Sequence, residues 1–321
     1  MRVLITGASG FAGSWLCRYC AQAGDEVVAL SRRGLTPGGC GQGVAVDLRD
    51  GAAVREAVRA AAPELVYHLA SLTSVGRSWE SPAQTLEDND AITVSVLEAL
   101  RHVAGGAPAV WVSSCEVYGT HGALPTTEDE PLAPANPYAV SKASGEMLAQ
   151  VYGDAYGLEI LRARPYSHSG PGQLPIYLLS SLASQAAEGR RAGATKLEIV
   201  TGNPDTRRDF TDVRDVVRAY RLLGHALASG KPGASGGVFN VSSGRSVSSA
   251  EQVALLADLV APIEVEHIVD PARVRTREVM ELCGDPTRLH ALTGWEPTIS
   301  LRQTMADAIA WWERPPERTP A

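Results

Sequence analysis

Basic residues do not predominate in this 321-residue sequence: 29 lysines and arginines are outnumbered by 36 aspartates and glutamates, for a net charge of −7. Nucleic-acid binding normally needs a basic face that neutralises phosphates, so no nucleic-acid partner is expected. The sequence also lacks an apolar run near the roughly 18–20 residues of a membrane helix, so no membrane partner is expected. Its first residues run directly into a predicted strand without the pattern of a signal peptide, which favours a cytoplasmic protein.

Cysteines are few and scattered, at positions 17, 20, 40, 115 and 283. The first two have the Cys-x-x-Cys spacing, but they lie in a predicted helix without a second pair of ligands nearby. We therefore interpret the cysteines as small buried apolar residues and predict no metal site.

Short β-branched or aliphatic runs alternate with amphipathic segments of helical length. The predicted strands span residues 3–5, 27–30, 44–46, 65–69, 110–112 and 158–161. The predicted helices span residues 15–23, 54–62, 85–103 and 138–156. This alternation predicts an α/β fold with a doubly wound parallel sheet, in which ligands bind beyond the carboxyl ends of the strands.

Three glycines follow the first predicted strand and open the first predicted helix. They allow a tight turn, a close approach of the backbone to a pyrophosphate, and packing of the helix on the strand. The helix start then offers unpaired N–H groups to the phosphates. The turn predicts a Rossmann dinucleotide site that contains Gly7, Gly10, Phe11, Ala12 and Gly13.

The end of the second strand bears on the choice of cofactor. NAD sites usually place an acid there, whereas an arginine accommodates a 2′-phosphate, and this chain has Ser31 and Arg32. We therefore predict that NADP(H) is preferred, with NAD(H) as the alternative. Asp47 is expected at the adenine edge, although it is equally typical of a turn. The cofactor site is also predicted to include Leu48, Leu69 and Ala70.

The sequence pattern changes after about residue 164, where prolines and glycines interrupt the alternation of predicted strands and helices. We predict a dinucleotide-binding Rossmann domain at 1–165. Residues 166–321 are predicted to form mainly a smaller C-terminal substrate-binding lobe, with residues 213–240 expected to return to the sheet.

Two groups of residues suggest catalysis. Tyr138 and Lys142 are four positions apart in a predicted helix, so their side chains share one face. The lysine, with the positive charge of an oxidised nicotinamide, would stabilise a tyrosinate and lower the tyrosine pKa. Ser114 and Glu116 directly follow a buried strand, where the active-site crevice is expected. Ser114 would hydrogen-bond a substrate carbonyl, and Glu116 would act as a general base or order the loop.

These motifs together resemble the extended short-chain dehydrogenase/reductase family of nucleotide-sugar enzymes. The resemblance covers nearly the whole chain and rests on the glycine turn, Ser-x-Glu-x-Tyr-Gly at 114–119, Tyr-x-x-x-Lys at 138–142 and Arg-Asp-Phe-Thr-Asp-Val at 208–213. Within the family the sequence most resembles GDP-4-keto-6-deoxy-D-mannose reductases, through residues 112–119, 136–142, 170–173, 270–275 and 293–297.

The resemblance implies NAD(P)H-dependent reduction of the C4 keto group of a 4-keto-6-deoxy nucleotide-sugar. Tyr138 would be the proton donor, Lys142 would hold the nicotinamide ribose and Ser114 would polarise the carbonyl. Arg208 and Arg275 would contact the nucleotide diphosphate. We also assign Ser74 and Ser167 to the substrate site. The family further implies a homodimer.

Two departures from the family pattern bear on the substrate. Ser167 stands where the family usually has an asparagine, and Cys115 stands where dehydratases commonly carry a hydroxyl or a carboxylate. The alternatives are a nucleotide-sugar 4,6-dehydratase, in which Glu116 removes the C5 proton, and a 4-epimerase. A non-catalytic cofactor-binding regulator on the same fold is the alternative of another class.

Overall fold

The computed structural model describes residues 1–120, 122–274 and 279–314. Its strands are β1 Arg2–Thr6, β2 Glu26–Ser31, β3 Gln42–Ala45, β4 Leu65–His68, β5 Ala109–Val112, β6 Ile160–Pro165, β7 Ser167–Ser169, β8 Lys196–Thr201, β9 Arg207–Asp212, β10 Val238–Val241, β11 Ser246–Ser248, β12 Glu264–Val269 and β13 Glu281–Leu282. Its α-helices are α1 Phe11–Gln22, α2 Gly51–Ala61, α3 Val75–Glu80, α4 Pro82–Val103, α5 Pro137–Tyr156, α6 Leu178–Ala192, α7 Val213–Ala228, α8 Ser249–Val260, α9 Thr287–Thr293 and α10 Leu301–Trp312. Short 3₁₀ helices span Pro37–Gly39, Cys115–Tyr118 and Pro271–Arg273.

Seven parallel strands form the main sheet, in the order β10-β6-β5-β4-β1-β2-β3. The strand order reverses between β1 and β4, and a crevice opens beyond their carboxyl ends at such a reversal. The predicted α/β class with a doubly wound parallel sheet is confirmed. The reversal places the glycine turn, which follows β1, at the mouth of that crevice.

Most of the predicted boundaries differ from the structure by one to four residues, and the physical reason is clear for two of them. The first helix begins at Phe11 rather than at residue 15, because its first turn faces the crevice and so lacks the apolar spacing of a core-facing helix. The sixth strand begins at Ile160 rather than at 158, because α5 ends only at the left-handed Gly157 and the chain must then turn back towards the sheet.

Helices cover both faces of the sheet. Alternate residues of β1 point to opposite faces: Val3 and Ile5 pack with α1 and α7, whereas Leu4 packs with α2, α4 and α5. Cys17 and Cys20 lie in the first of these cores, where burial raises the pKa of each thiol to about 12. Both cysteines therefore remain neutral thiols, as apolar packing requires.

The other sheets form a second, smaller group of elements. Strands β11, β9 and β13 form one small sheet, with β7 paired to β9, and β12 pairs with β8. Helices α6, α8 and α10 surround their own core of Leu182, Ile199, Leu256, Met305 and Ile309. Although late in the chain, α7 and β10 belong to the main sheet and its cover. The division of the chain at residue 165 stays a prediction.

None of the helices in the described part of the chain combines the length and the apolar character that crossing a bilayer demands.

Candidate active site

A cleft of about 990 Å³ lies beyond the carboxyl ends of the strands, between the main sheet and the smaller group of elements. This volume is at the upper end of the range for ligand sites, as a dinucleotide and a second ligand would need. The predicted cofactor residues all line it: Gly7, Gly10, Phe11, Ala12, Gly13, Ser31, Arg32, Asp47, Leu48, Leu69, Ala70, Tyr138 and Lys142.

The glycine turn leaves no room for side chains. Gly7 has φ +69°, and a Cβ there would lie 2.9 Å from the backbone nitrogen of Ala70. A Cβ on Gly13 would lie 2.1 Å from the carbonyl oxygen of Gly7. Gly10 precedes α1 without a side chain that would cover the first N–H groups of the helix. This geometry fits the pyrophosphate of a dinucleotide.

Charged residues line the end of the cleft that is formed by the segments after β2 and β3. Arg32 lines the cleft, and Asp47 accepts from Arg49, with 2.6 Å between Arg49 Nη2 and Asp47 Oδ2. These hydrogen bonds lower the pKa of Asp47 to about 2, so the carboxylate is ionised and paired. Arg49 also bonds Asp88 at 3.1 Å. Sequence reasoning missed Arg49, because it read only the residues directly at the strand ends.

Tyr138 and Ser114 are brought together by the start of α5 and the end of β5. Asn136 caps α5, its Oδ1 accepting from the Ala139 N–H at 2.8 Å, and this fixes the first turn that carries Tyr138. Burial raises the pKa of the Tyr138 phenol well above its usual value, and this outweighs the neighbouring Ser114 hydroxyl, which lowers that pKa. Tyr138 therefore keeps its proton at neutral pH.

Lys142 follows one turn later on the same face of α5 and is buried as well. Its Nζ donates to the Val112 carbonyl oxygen at 2.5 Å, which anchors it at the end of β5. Burial lowers the pKa of Lys142 to about 8, and the carboxylate of Glu146 opposes this shift. The ammonium form therefore prevails at neutral pH, beside a protonated tyrosine.

Glu116 lines the cleft and also takes part in the local structure. Its Oε2 accepts from Asn136 Nδ2 at 3.0 Å, and Asn136 is the residue that caps α5. The carboxylate raises the pKa of Tyr138 as a nearby negative charge. This contact with Asn136 agrees with the expectation that Glu116 orders the loop after β5.

Only some of the predicted substrate residues line the cleft. Ser114, Tyr138, Ser167 and Arg208 line the cleft. Ser74 is not among the lining residues; its hydroxyl accepts from the Arg77 N–H at 3.3 Å and caps α3. Arg275 lies outside the described residues.

Several polar residues of the cleft were not predicted from the sequence. They come from the loop before α6, from the segment around β8 and from α8, and include Gln173, Tyr177, Thr201, Thr206, Ser249 and Gln252. No local motif marks them, because tertiary packing alone brings these segments to the cleft.

The chain is similar to known enzymes that act on nucleotide-sugars. A family model described as GDP-mannose 4,6 dehydratase matches residues 4–308. The chain is 37% identical to a GDP-6-deoxy-D-mannose reductase of Pseudomonas aeruginosa over 97% of each protein. It is 33% identical to a UDP-glucose 4-epimerase of Mycolicibacterium smegmatis, covering 97% of this chain and 98% of the relative. It is 30% identical to a dTDP-glucose 4,6-dehydratase of Streptomyces griseus, covering 97% and 94%.

Two solved structures share the fold over nearly their whole length. The structure of RMD from Pseudomonas aeruginosa complexed with NADPH has a TM-score of 0.83 and 34% identity, covering 98% of this chain and 99% of that one. The UDP-glucose 4-epimerase of Thermotoga maritima with UDP-glucose has a TM-score of 0.85 and 25% identity, covering 97% and 98%. Reduction, epimerisation and dehydration are thus all represented among proteins similar to this chain.

Proposed function

Since the chain belongs to the GDP-mannose 4,6-dehydratase family of extended short-chain dehydrogenases/reductases, we propose that it reduces the C4 keto group of GDP-4-keto-6-deoxy-D-mannose with NADPH. The observation that carries the proposal is that Ser114, Tyr138 and Lys142 all line the same cleft, with Tyr138 and Lys142 one helical turn apart on α5. The reduction of a ketone requires donors that hydrogen-bond and protonate the ketone oxygen, and two hydroxyl groups can do this. The similarity to a GDP-6-deoxy-D-mannose reductase supports the choice of sugar.

The chain's own residues handle the proton and the developing charge. When bound, NADPH supplies the hydride to C4. Ser114 donates a hydrogen bond to the substrate oxygen, and Tyr138 protonates that oxygen as negative charge develops on it. The raised pKa of Tyr138 ensures that the proton is present before the reaction. Lys142, still charged at neutral pH, then stabilises the tyrosinate.

A 4,6-dehydratase is the second candidate, because Glu116 lines the same cleft. Two observations favour the reductase. The Glu116 carboxylate is held by Asn136, and burial raises the pKa of the Cys115 thiol well above its usual value, which makes it a poor acid.

A turnover assay separates the two candidates. The protein is incubated with GDP-4-keto-6-deoxy-D-mannose plus NADPH, and separately with GDP-mannose, while NADPH absorbance and products are followed. The reductase consumes one NADPH for each ketone reduced and leaves GDP-mannose unchanged. Conversion of GDP-mannose without net loss of cofactor would instead establish the dehydratase.

We propose that Arg32 recognises the 2′-phosphate of NADPH, since it lines the cleft after β2 where the chain has no acid. Replacing Arg32 with alanine removes a charge-assisted contact worth about 1.5–3 kcal/mol, so the Kd for NADPH should rise about 10- to 100-fold while that for NADH stays unchanged. Fluorescence titration measures both. Arg33→Ala is the matched control, because Arg33 does not line the cleft. Equal losses in the two variants would refute this role.

The activity should fall at alkaline pH. Lys142 is active as the ammonium, and its pKa is lowered to about 8, so kcat/KM should be constant below that pH and decline above it. Tyr138 does not set this limb, because its pKa is raised rather than lowered. The measurement is a pH profile of kcat/KM for wild type and Lys142→Arg. The arginine variant, whose charge persists, should show lower activity without the decline near pH 8; an identical decline would assign the limb to another group.

We propose that the protein is a homodimer that packs through α5. Val140, Met147 and Val151 are exposed and lie on one side of this helix, and Val94 is exposed on the adjacent α4. Light scattering after size exclusion should give twice the chain mass for wild type. Met147→Lys combined with Val151→Lys should give the monomer mass, whereas Tyr177→Lys, at an exposed site beside the cleft, should not. A monomeric wild type would rule out the dimer.

A further inference from the structure

A buried carboxylate lies one turn beyond Lys142 on the same face of α5. Glu146 is 1% exposed and follows Lys142 by four positions, and both side chains are buried. On a helix, side chains with this spacing are neighbours, with about 5–6 Å between their Cβ atoms. The proposed catalysis gives Glu146 no role, although it lies beside the lysine on which that catalysis depends.

Arg164, on β6, holds Glu146 in place. Its Nε donates to Glu146 Oε1 at 3.0 Å and to Oε2 at 3.1 Å, and its Nη2 donates to Oε1 as well. Arg164 is itself 5% exposed, and its Nη1 donates to the Tyr118 hydroxyl at 2.8 Å. Because an arginine remains charged in a protein, its hydrogen bonds hold Glu146 as a carboxylate.

Stability alone does not account for the Glu146–Arg164 pair. The cost of removing two charges from water roughly cancels their mutual attraction, and apolar side chains of similar volume are often as stable or more so. The pair is better explained by what its carboxylate does to a neighbouring side chain.

The other titratable groups described near Lys142 do not replace Glu146 as its counter-charge. His68, on β4, is neutral because burial lowers its pKa to about 3, and Tyr138 keeps its proton. The Glu116 carboxylate, after β5, acts on Tyr138 rather than on Lys142. The α4 residues described in the small cavity beside Lys142 are uncharged: Asn89 and Thr93.

Glu146 therefore influences the charge of Lys142. Burial lowers the pKa of Lys142, and the Glu146 carboxylate opposes that shift, so the pKa stays at about 8. We propose that Glu146 is a positioning residue of the reaction, which keeps Lys142 in its ammonium form, and that Arg164 holds Glu146 for this task. The catalytic consequence rests on the proposed function, in which the ammonium stabilises the tyrosinate, whereas the effect on Lys142 itself does not.

Titration of Lys142 by NMR tests the proposal without turnover. The chain has three lysines, Lys142, Lys196 and Lys231. Protein labelled with ¹³C at the lysine Cε therefore gives few resonances, and the one that disappears in Lys142→Arg belongs to Lys142. In wild type this resonance should titrate near pH 8. In Glu146→Gln, which keeps the size of the side chain and an oxygen for Arg164, it should titrate about one pH unit lower.

Two further variants separate charge from folding. Glu159→Gln makes the same change at an exposed position after α5 and should leave the Lys142 titration unaltered. Glu146→Leu combined with Arg164→Met removes the pair without leaving a buried charge unpaired, so it should fold even where Glu146→Gln does not. Lys142 should titrate below its wild-type pH in this double variant as well. A wild-type Lys142 titration in folded Glu146→Gln or in the double variant would overturn the proposal.

The pH profile of kcat/KM gives the catalytic readout. When the pKa of Lys142 falls by one unit, the ammonium fraction at pH 8 falls from about one half to about one tenth. Glu146→Gln should therefore have a kcat/KM about fivefold below wild type at pH 8 and close to wild type at pH 6. An equal loss at both pH values would show a structural role only.

The two proposals fail separately. Conversion of GDP-mannose without net cofactor loss, together with a shifted Lys142 titration in Glu146→Gln, would remove the reductase proposal and leave the role of Glu146 intact. Reduction of the 4-keto sugar by a protein whose Lys142 titration does not respond to Glu146 would do the reverse.

Discussion

Replacing Tyr138 with phenylalanine is expected to lower kcat for ketone reduction by about 10²- to 10⁴-fold, the usual contribution of a positioned general acid. The substitution removes only the phenolic oxygen, so the ring still fills the start of α5. Ser114 should remain in place, because its Oγ accepts from the Glu116 N–H at 3.2 Å. The loss should therefore appear in kcat, with the Kd for NADPH nearly unchanged.

Tyr156→Phe is the matched control for this variant. Tyr156 lies in the same helix but is 47% exposed and remote from the cleft, so its rate should equal that of wild type. A Tyr138→Phe enzyme with the wild-type rate would mean that the proton comes from another group, and the mechanism would be wrong.

Replacing Lys142 with methionine should reduce kcat/KM by about 10- to 1,000-fold. An opposite charge within a few ångströms changes a pKa by 1–3 units, and this support for the tyrosinate is lost with the ammonium. Stability should respond differently. The lowered pKa of Lys142 shows that burial disfavours its charge, so an apolar side chain of similar length should not lower Tm markedly.

Steady-state kinetics and thermal unfolding of the same preparations test these two expectations, the lower kcat/KM and the nearly unchanged Tm. Lys196→Met serves as the control, because Lys196 is exposed and paired with Glu266 on the neighbouring strand. Full activity in Lys142→Met would show that the ammonium has no part in the reaction. A large fall in Tm along with activity would show that the residue acts mainly on folding.

The cofactor half of the cleft could be predicted from the sequence because its determinants are local. Gly7, Gly10 and Gly13 follow one strand, and the backbone geometry they permit is fixed within the same turn. Tyr138 and Lys142 share a face by helical periodicity alone. Such spacing rules depend little on the rest of the fold, so these residues all line the cleft.

The substrate half could be predicted only in part. Gln252 and Ser249 lie in α8, which reaches the cleft because β11 pairs with β9 and α8 packs on α6. No spacing within α8 reveals that placement. Ser74 shows a second reason why sequence alone is insufficient. A serine before a helix is as suited to capping the helix as to binding a ligand. In the structure the Ser74 hydroxyl caps α3.

Transfer of isotope from the cofactor to the sugar tests the central claim, reduction at C4, most directly. NADPH carrying deuterium at its transferable position is incubated with the protein and GDP-4-keto-6-deoxy-D-mannose, and the product is analysed by NMR and mass spectrometry. The account predicts one deuterium per product molecule, located at C4, with equivalent loss of NADPH. A sugar product without deuterium, or with deuterium at C6, would contradict it.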